Sequence, residues 1–157
     1  MDLKSLYREI VNEHNLHPAH KYNIIDATMV HEGVNPSCGD DINLQLKVGE
    51  NGIITDGSFM GSGCAVSQAS CDMMLDLVIG KTREEAIRYA DIFDAMIKGT
   101  AKPEEIEELD EAAALEDVSH MPARVKCALL GWRTLKEILI EGKNEGIGIA
   151  KHCDIKS

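Results

Sequence analysis

The stretch Ile42-Asn43-Leu44-Gln45-Leu46-Lys47-Val48 alternates strictly between apolar and polar side chains. In extended chain, side chains two apart share a face, so this pattern demands a strand with one buried and one wetted side. Gly49-Glu50-Asn51-Gly52 follows at once, and Asn-Gly suits the positive φ of a tight hairpin turn. Residues 53–60 supply the returning strand and 27–32 a further short one, giving three antiparallel strands. Beyond Gly63 the period changes. Met73, Met74, Leu77 and Val78 recur at helical spacing behind Ser67, a candidate cap, with Gly80 as the stop. Thr82-Arg83-Glu84-Glu85 reads as a capping box for a second helix, with Ile87, Ala90 and Ile97 inward and Gly99 ending it. Pro122 suits a first helical position and opens a helix striped by Val125, Leu129, Trp132, Leu135 and Leu139. Upstream, Leu3, Leu6, Tyr7, Ile10, Val11 and His14 mark an amphipathic helix over about 2–14, and Pro18 marks a loop after it. The expected fold is α+β, a three-stranded antiparallel sheet packed against several helices. With 157 residues, one domain is the default. It is expected over 1–141, and residues 142–157, which lose periodicity, form a mobile C-terminal tail.

Charge narrows the partners. Sixteen basic against 27 acidic side chains leave −11, and no basic cluster with aromatics offsets that field, so nucleic acid is not an expected ligand. The excess is local: residues 104–117 carry eight acids and no Lys or Arg, and without them the chain is only −3. This acidic run reads as short surface helix with Ile106, Leu109 and Ala113 on one stripe, its charged side solvated or docking a basic partner. The longest run free of charged residues is 57–71, rich in Gly and Ser and too short for a bilayer span. No membrane association is expected. Met1-Asp2-Leu3-Lys4 leads into Arg8 and Glu9 without the apolar stretch of a secretory leader, so a cytoplasmic location is expected.

Five cysteines, an odd number in a chain without an export signal, argue against a disulfide framework and for metal or thiol chemistry. Three of them sit at structural junctions. Cys38 lies in the turn-rich Asn35-Pro36-Ser37-Cys38-Gly39-Asp40 before the alternating strand, Cys64 in Gly61-Ser62-Gly63-Cys64 after the third strand, and Cys127 in the first turns of the last helix. In a meander the first two loops can emerge at one end of the sheet. Cys38 and Asp40, two apart across a glycine, face one target in extended chain. Cys38, Asp40, Cys64 and Cys127 together supply three sulfurs and one oxygen, an acceptable tetrahedral zinc shell. The same donors suit an iron–sulfur cluster, and the residue types alone prefer neither.

These motifs resemble those of the IscU/NifU-like family of iron–sulfur cluster assembly proteins, in its SufU branch. The resemblance rests on Asn35-Pro36-Ser37-Cys38-Gly39-Asp40 and on Gly61-Ser62-Gly63-Cys64-Ala65-Val66-Ser67-Gln68-Ala69-Ser70-Cys71. Pro122-Ala123-Arg124-Val125-Lys126-Cys127 and the weaker Leu6-Tyr7-Arg8-Glu9 complete it. Lys126 stands where classical IscU proteins place a His, and the acidic region about 98–117 resembles the SufU helical insertion. The resemblance implies zinc on Cys38, Asp40, Cys64 and Cys127, with Cys38 as the catalytic residue that accepts persulfide sulfur from a PLP-dependent cysteine desulfurase (SufS-like). That would make the chain a zinc-dependent sulfurtransferase feeding downstream iron–sulfur assembly proteins. Two alternatives stand beside it: a scaffold that builds and transfers a [2Fe–2S] cluster on the same ligands, and a structural zinc protein that stimulates a partner enzyme.

Other residues take ordinary roles. Arg124 and Lys126 place positive charge beside an anionic thiolate site, Arg124 as the candidate for tuning it or docking the desulfurase. Cys71 reads as a small packed helix residue, Met73 and Met74 as core, and Cys153 with His152 as part of a solvated tail. His14, His17, His20 and His31 read as surface or loop residues, and His120 is kept as an alternative ligand.

Overall fold

Alternation along one strand organises the sheet. β2 (Asp40–Val48) pairs antiparallel with β1 (Met29–Asn35) on one side and β3 (Ile54–Ser62) on the other. The structure, a computed structural model, describes residues 3–37, 39–141 and 150–154. Register sets Leu44 opposite His31 and Phe59, and Leu46 opposite Met29 and Gly57. Directly opposed residues share a face. Ile42, Leu44, Leu46, Ile54 and Phe59 are accordingly at most 1% exposed beneath the helices.

The helices form the covering layer. α2 (Ala65–Val78) and α5 (Pro122–Glu141) lie against the sheet, α1 (Leu3–Leu16) packs on α2, and α3 (Arg83–Lys98) packs on α5. The Thr82–Glu85 capping box forms as the sequence predicts, and Gly99 ends α3 at φ 81°. Trp132 stacks on Phe93 with ring centroids 4.2 Å apart, and its indole N–H donates to Ser70 Oγ at 2.9 Å. Ser70 in turn donates to the Ala128 carbonyl at 2.7 Å, so the polar atoms of this core contact are satisfied. Among the described residues no helix is long and apolar enough to cross a membrane.

Three features depart from the sequence reading. Cys64, not Ser67, caps α2: its Sγ accepts from the Ser67 N–H, while the Ser67 hydroxyl, buried, donates back to the Cys64 carbonyl at 3.0 Å. Part of the expected tail is a strand, because β4 (Ala150–Asp154) adds in parallel to the outer edge of β1 and makes the sheet four-stranded, in order β3-β2-β1-β4. Backbone groups on an unpaired edge recruit a strand without needing a side-chain pattern, so Ala150-Lys151-His152-Cys153-Asp154 gave no periodic signal. The other tail residues, 142–149 and 155–157, lie outside the described residues. The acidic region forms a short α4 (Pro103–Glu107) and then a 3-10 helix (Asp110–His120). Leu109, Ala112, Leu115 and Val118 are all buried at intervals of three, which matches the three residues per turn of a 3-10 helix rather than an α-helical stripe. Of the predicted stripe, Leu109 is buried and Ile106 and Ala113 are half-buried.

Where α2 meets α5, Gly131 faces Cys71. A Cβ on Gly131 would stand 2.4 Å from Cys71 Sγ, and Cys71 is fully buried, so sulfur fills the space that glycine leaves. Gly131→Ala is expected to destabilise the protein by about 1–3 kcal/mol through overpacking. In a Cys71→Ala background the same substitution is expected to stabilise it by up to about 1 kcal/mol, because only the gain in helix propensity remains. Urea unfolding of the four proteins measures this; a Gly131→Ala effect independent of residue 71 would contradict the packing.

Candidate metal centre

The alternation that buries Ile42 and Leu44 has a second effect at the start of β2. Asp40 falls on the same face and is fully buried, pointing beneath the helices rather than to solvent. Its Oδ1 accepts from the Cys64 backbone N–H at 2.9 Å, and its Oδ2 accepts from Asn35 Nδ2 at 3.3 Å, Asn35 being its register partner on β1. The Asn35 amide also lies 3.8 Å from Cys127 Sγ, so one buried side chain orients both the carboxylate and a sulfur. Asp40, Cys64 and Cys127 each offer a ligand atom within 4.8 Å of the other two. Three segments far apart in sequence therefore meet at one end of the sheet.

Each member is placed by its element. Cys64 sits at the N-cap of α2, where its Sγ accepts from the free Ser67 N–H of the first turn. Cys127 is buried in the second turn of α5, within 3.9 Å of the Ala123 carbonyl one turn earlier. Gly63 leaves room for the carboxylate, since a Cβ there would come within 2.4 Å of Ser67 Oγ and 2.9 Å of Asp40 Oδ1. Cys38 lies outside the described residues; its neighbours Ser37 and Gly39 belong to the β1–β2 turn, closed by a Gly39 N–H to Asn35 carbonyl bond of 3.0 Å.

The electrostatics call for a cation. Asp40 is fully buried, yet among the described residues its hydrogen bonds come only from a neutral amide and a backbone N–H, with no ion pair. A buried carboxylate without a proton or a cation is costly. Two cysteine sulfurs and one carboxylate oxygen within reach of one another are a fitting donor set for zinc, three of the four that a tetrahedral site needs.

Lys126 Nζ donates to Ser37 Oγ at 3.4 Å, so its charge rests on the turn that carries Cys38, while Arg124 is exposed on the first turn of α5. Tyr7 on α1, read from sequence only as an apolar helix position, is near enough to feel the charge of Cys64. Burial, reinforced by Asp117 and Cys64 and opposed by Arg124, raises its phenol above the ordinary value. Cys71 stays apart as packing, and burial pushes its thiol far up, out of reach of thiolate chemistry. His120 is exposed at the end of the 3-10 helix and does not join the donor set. Contrary to the sequence reading, His14 and His31 are buried: His31 faces Glu137 at 3.4 Å under α5, and His14 lies between α1 and α2. His14 falls on the apolar stripe that the sequence draws for α1, and His31 shares the buried face of β1 with Met29, but that periodicity does not name the acids they meet.

Comparison with known proteins agrees with this fold. The family model for the NifU-like N terminal domain matches residues 6–136. The iron–sulfur cluster assembly scaffold protein IscU of Streptococcus pyogenes is 42% identical over 142 residues, 90% of this chain and 87% of that protein. The zinc-dependent sulfurtransferase SufU of Bacillus subtilis is 37% identical over 136 residues, 87% of this chain and 90% of that protein. A crystal structure of a SUF-system iron–sulfur assembly scaffold protein from Fervidobacterium islandicum superposes with a TM-score of 0.80 at 36% identity, covering 86% of this chain and 97% of the other. A fold, a junctional cluster of cysteines with one aspartate, and a match along most of the chain all converge: it belongs to the NifU-like N-terminal domain family, alongside IscU and SufU.

Proposed function

We propose that this chain is a cytoplasmic iron–sulfur cluster assembly protein that holds zinc on Cys38, Asp40, Cys64 and Cys127. In this reading Cys38 accepts persulfide sulfur from a PLP-dependent, SufS-like cysteine desulfurase and relays it to downstream assembly proteins. The observation that carries the proposal is the fully buried Asp40 beside two cysteine sulfurs. Likeness to the Bacillus subtilis SufU, with Lys126 before Cys127, favours the sulfur relay. Bound zinc supplies one thing, the deprotonated state of the thiols at neutral pH.

The chain's own residues do the rest. Asn35 and the Cys64 N–H hold the Asp40 carboxylate in place. The Cys38 thiolate attacks the outer sulfur of the desulfurase persulfide. One S–S bond forms on Cys38, the donor's S–S bond breaks, and the desulfurase cysteine departs as thiolate, so no external oxidant or reductant is consumed. Lys126 on the turn and Arg124 at the helix start place positive charge where two anionic sulfur groups approach. A second reading, assembly and transfer of a [2Fe–2S] cluster on the same ligands, is supported by likeness to the Streptococcus pyogenes scaffold.

Elemental analysis and the visible spectrum separate the two: about one zinc per chain without a chromophore supports the relay, and a stable coloured cluster after anaerobic purification supports the scaffold. With desulfurase and cysteine, intact-mass measurement is expected to show one added sulfur, lost in Cys38→Ala and kept in Cys71→Ala. Labelling that survives Cys38→Ala would remove Cys38 as acceptor.

The carboxylate makes a separate prediction. Asp40→Ala is expected to weaken zinc retention at least about tenfold against a chelator while thermal unfolding stays cooperative, since water replaces one oxygen ligand. Gly63→Ala touches no donor, yet is expected to weaken retention in the same direction by crowding Asp40 Oδ1. Chelator competition measures both, and unchanged affinity in the two variants would exclude Asp40 from the site.

A further inference from the structure

A second set of metal-binding side chains meets on the other side of α2, where α1, α2 and the 3-10 helix come together. His14, Asp72 and Asp76 each offer a ligand atom within 4.8 Å of the other two. His14 Nδ1 lies 2.6 Å from Asp72 Oδ2, and its Nε2 contacts Glu111 Oε1 on the 3-10 helix. Asp76 Oδ1 is 2.6 Å from His20 Nε2, and the His20 backbone N–H donates to Asp72 Oδ1 at 2.9 Å. Asp72 and Asp76 stand four apart on α2, the spacing that puts two side chains on one helix face.

The charge balance of this cluster is incomplete. Asp72 is 1% exposed, and among the described residues Asp72, Asp76 and Glu111 pair with imidazoles and with no Lys or Arg. Three carboxylates face two groups that are cationic only when protonated. A cavity of about 180 Å³ opens beside them, with Asp76, Asp110 and Glu111 on its polar wall, and gives room for the waters of a partly hydrated ion.

We infer that His14, Asp72 and Asp76, with Glu111 holding the other imidazole nitrogen of His14, form a second cation site that takes a divalent first-row transition ion through nitrogen and oxygen donors. No sulfur belongs to it. Imidazole and carboxylate donors suit Mn²⁺, Fe²⁺ or Zn²⁺, whereas the cysteine cluster favours ions that prefer thiolate. On binding, the ion takes the place of the proton shared by His14 Nδ1 and Asp72 Oδ2, and that proton passes to solvent. Glu111 stays on His14 Nε2, away from the ion, and orients the imidazole.

The test is a titration of the zinc-loaded, full-length protein with Mn²⁺, which carboxylates suit and thiolates do not. Loss of the free-ion paramagnetic resonance signal reports binding, and elemental analysis checks that the first site keeps its zinc. One equivalent of bound Mn²⁺ is expected, with affinity at least about tenfold weaker in His14→Gln and Asp72→Asn. Should either buried variant fail to fold, Asp76→Asn, at an exposed position, is expected to lower affinity with the fold intact. No Mn²⁺ binding, or binding equal in the wild-type and Asp76→Asn proteins, would overturn the assignment. Because zinc content is read separately, a failure here is distinguishable from a failure of the cysteine site.

Discussion

A carboxylate buried by strand alternation is the constraint from which the candidate metal centre follows. Ile42, Leu44 and Leu46 must face the helices to make a core, and period-two geometry then obliges Asp40 to face them too. A shift of one residue in register would send Asp40 to water and three core residues with it, so core and site share one determinant. Burying an acid costs free energy unless its oxygens are satisfied. Here the Cys64 N–H and the Asn35 amide each donate to one oxygen without supplying positive charge, and the Asn35 amide also meets Cys127 Sγ. The carboxylate thus acts as the registration point between β1, β2 and the head of α2.

The approach of α5 sets the other half of the site. Two glycines let it come close: Gly33 on β1, where a Cβ would strike Thr134 Oγ1 at 2.1 Å, and Gly131 on α5, opposite Cys71. Cys127 lies one turn before Gly131, and Cys64 lies two turns before Cys71 on α2. The close α2–α5 contact therefore fixes how far apart Cys64 and Cys127 stand, although neither Gly131 nor Cys71 belongs to that cluster. This is why the structure gives Cys71 a role distinct from the other cysteines: its sulfur is volume, and burial keeps its thiol protonated.

Much of this was legible because it depends on local period and punctuation. The alternation at 42–48, the Asn-Gly turn, the Thr82–Glu85 box and Pro122 each act within a few residues, and each appears where the sequence places it. The convergence of Asp40, Cys64 and Cys127 followed from the same local readings, since a meander brings loop ends together. What escaped depends on contacts with no local signature. β4 is recruited by backbone groups on the edge of β1, and the 3-10 helix follows a three-residue apolar spacing easily taken for a helical stripe. His14 and His31 are buried by partners 58 and more than a hundred positions away, and no window on the sequence contains both ends of such a pair.

α2 is the element that ties these strands of the structure together. Its N-terminus carries Cys64, and eight residues later it carries Asp72, a separation of about 12 Å along the axis at 1.5 Å per residue. That is too far for one ion to touch both donor sets and close to the screening length of physiological salt. The two sets therefore stand apart, and they differ in chemistry: sulfur with one oxygen at the helix head, imidazole and carboxylate along its side. An ion that prefers thiolate and a harder one such as Mn²⁺ would sort between them. The helix thereby keeps a sulfur-containing donor set at its head apart from a thiol-free one along its side.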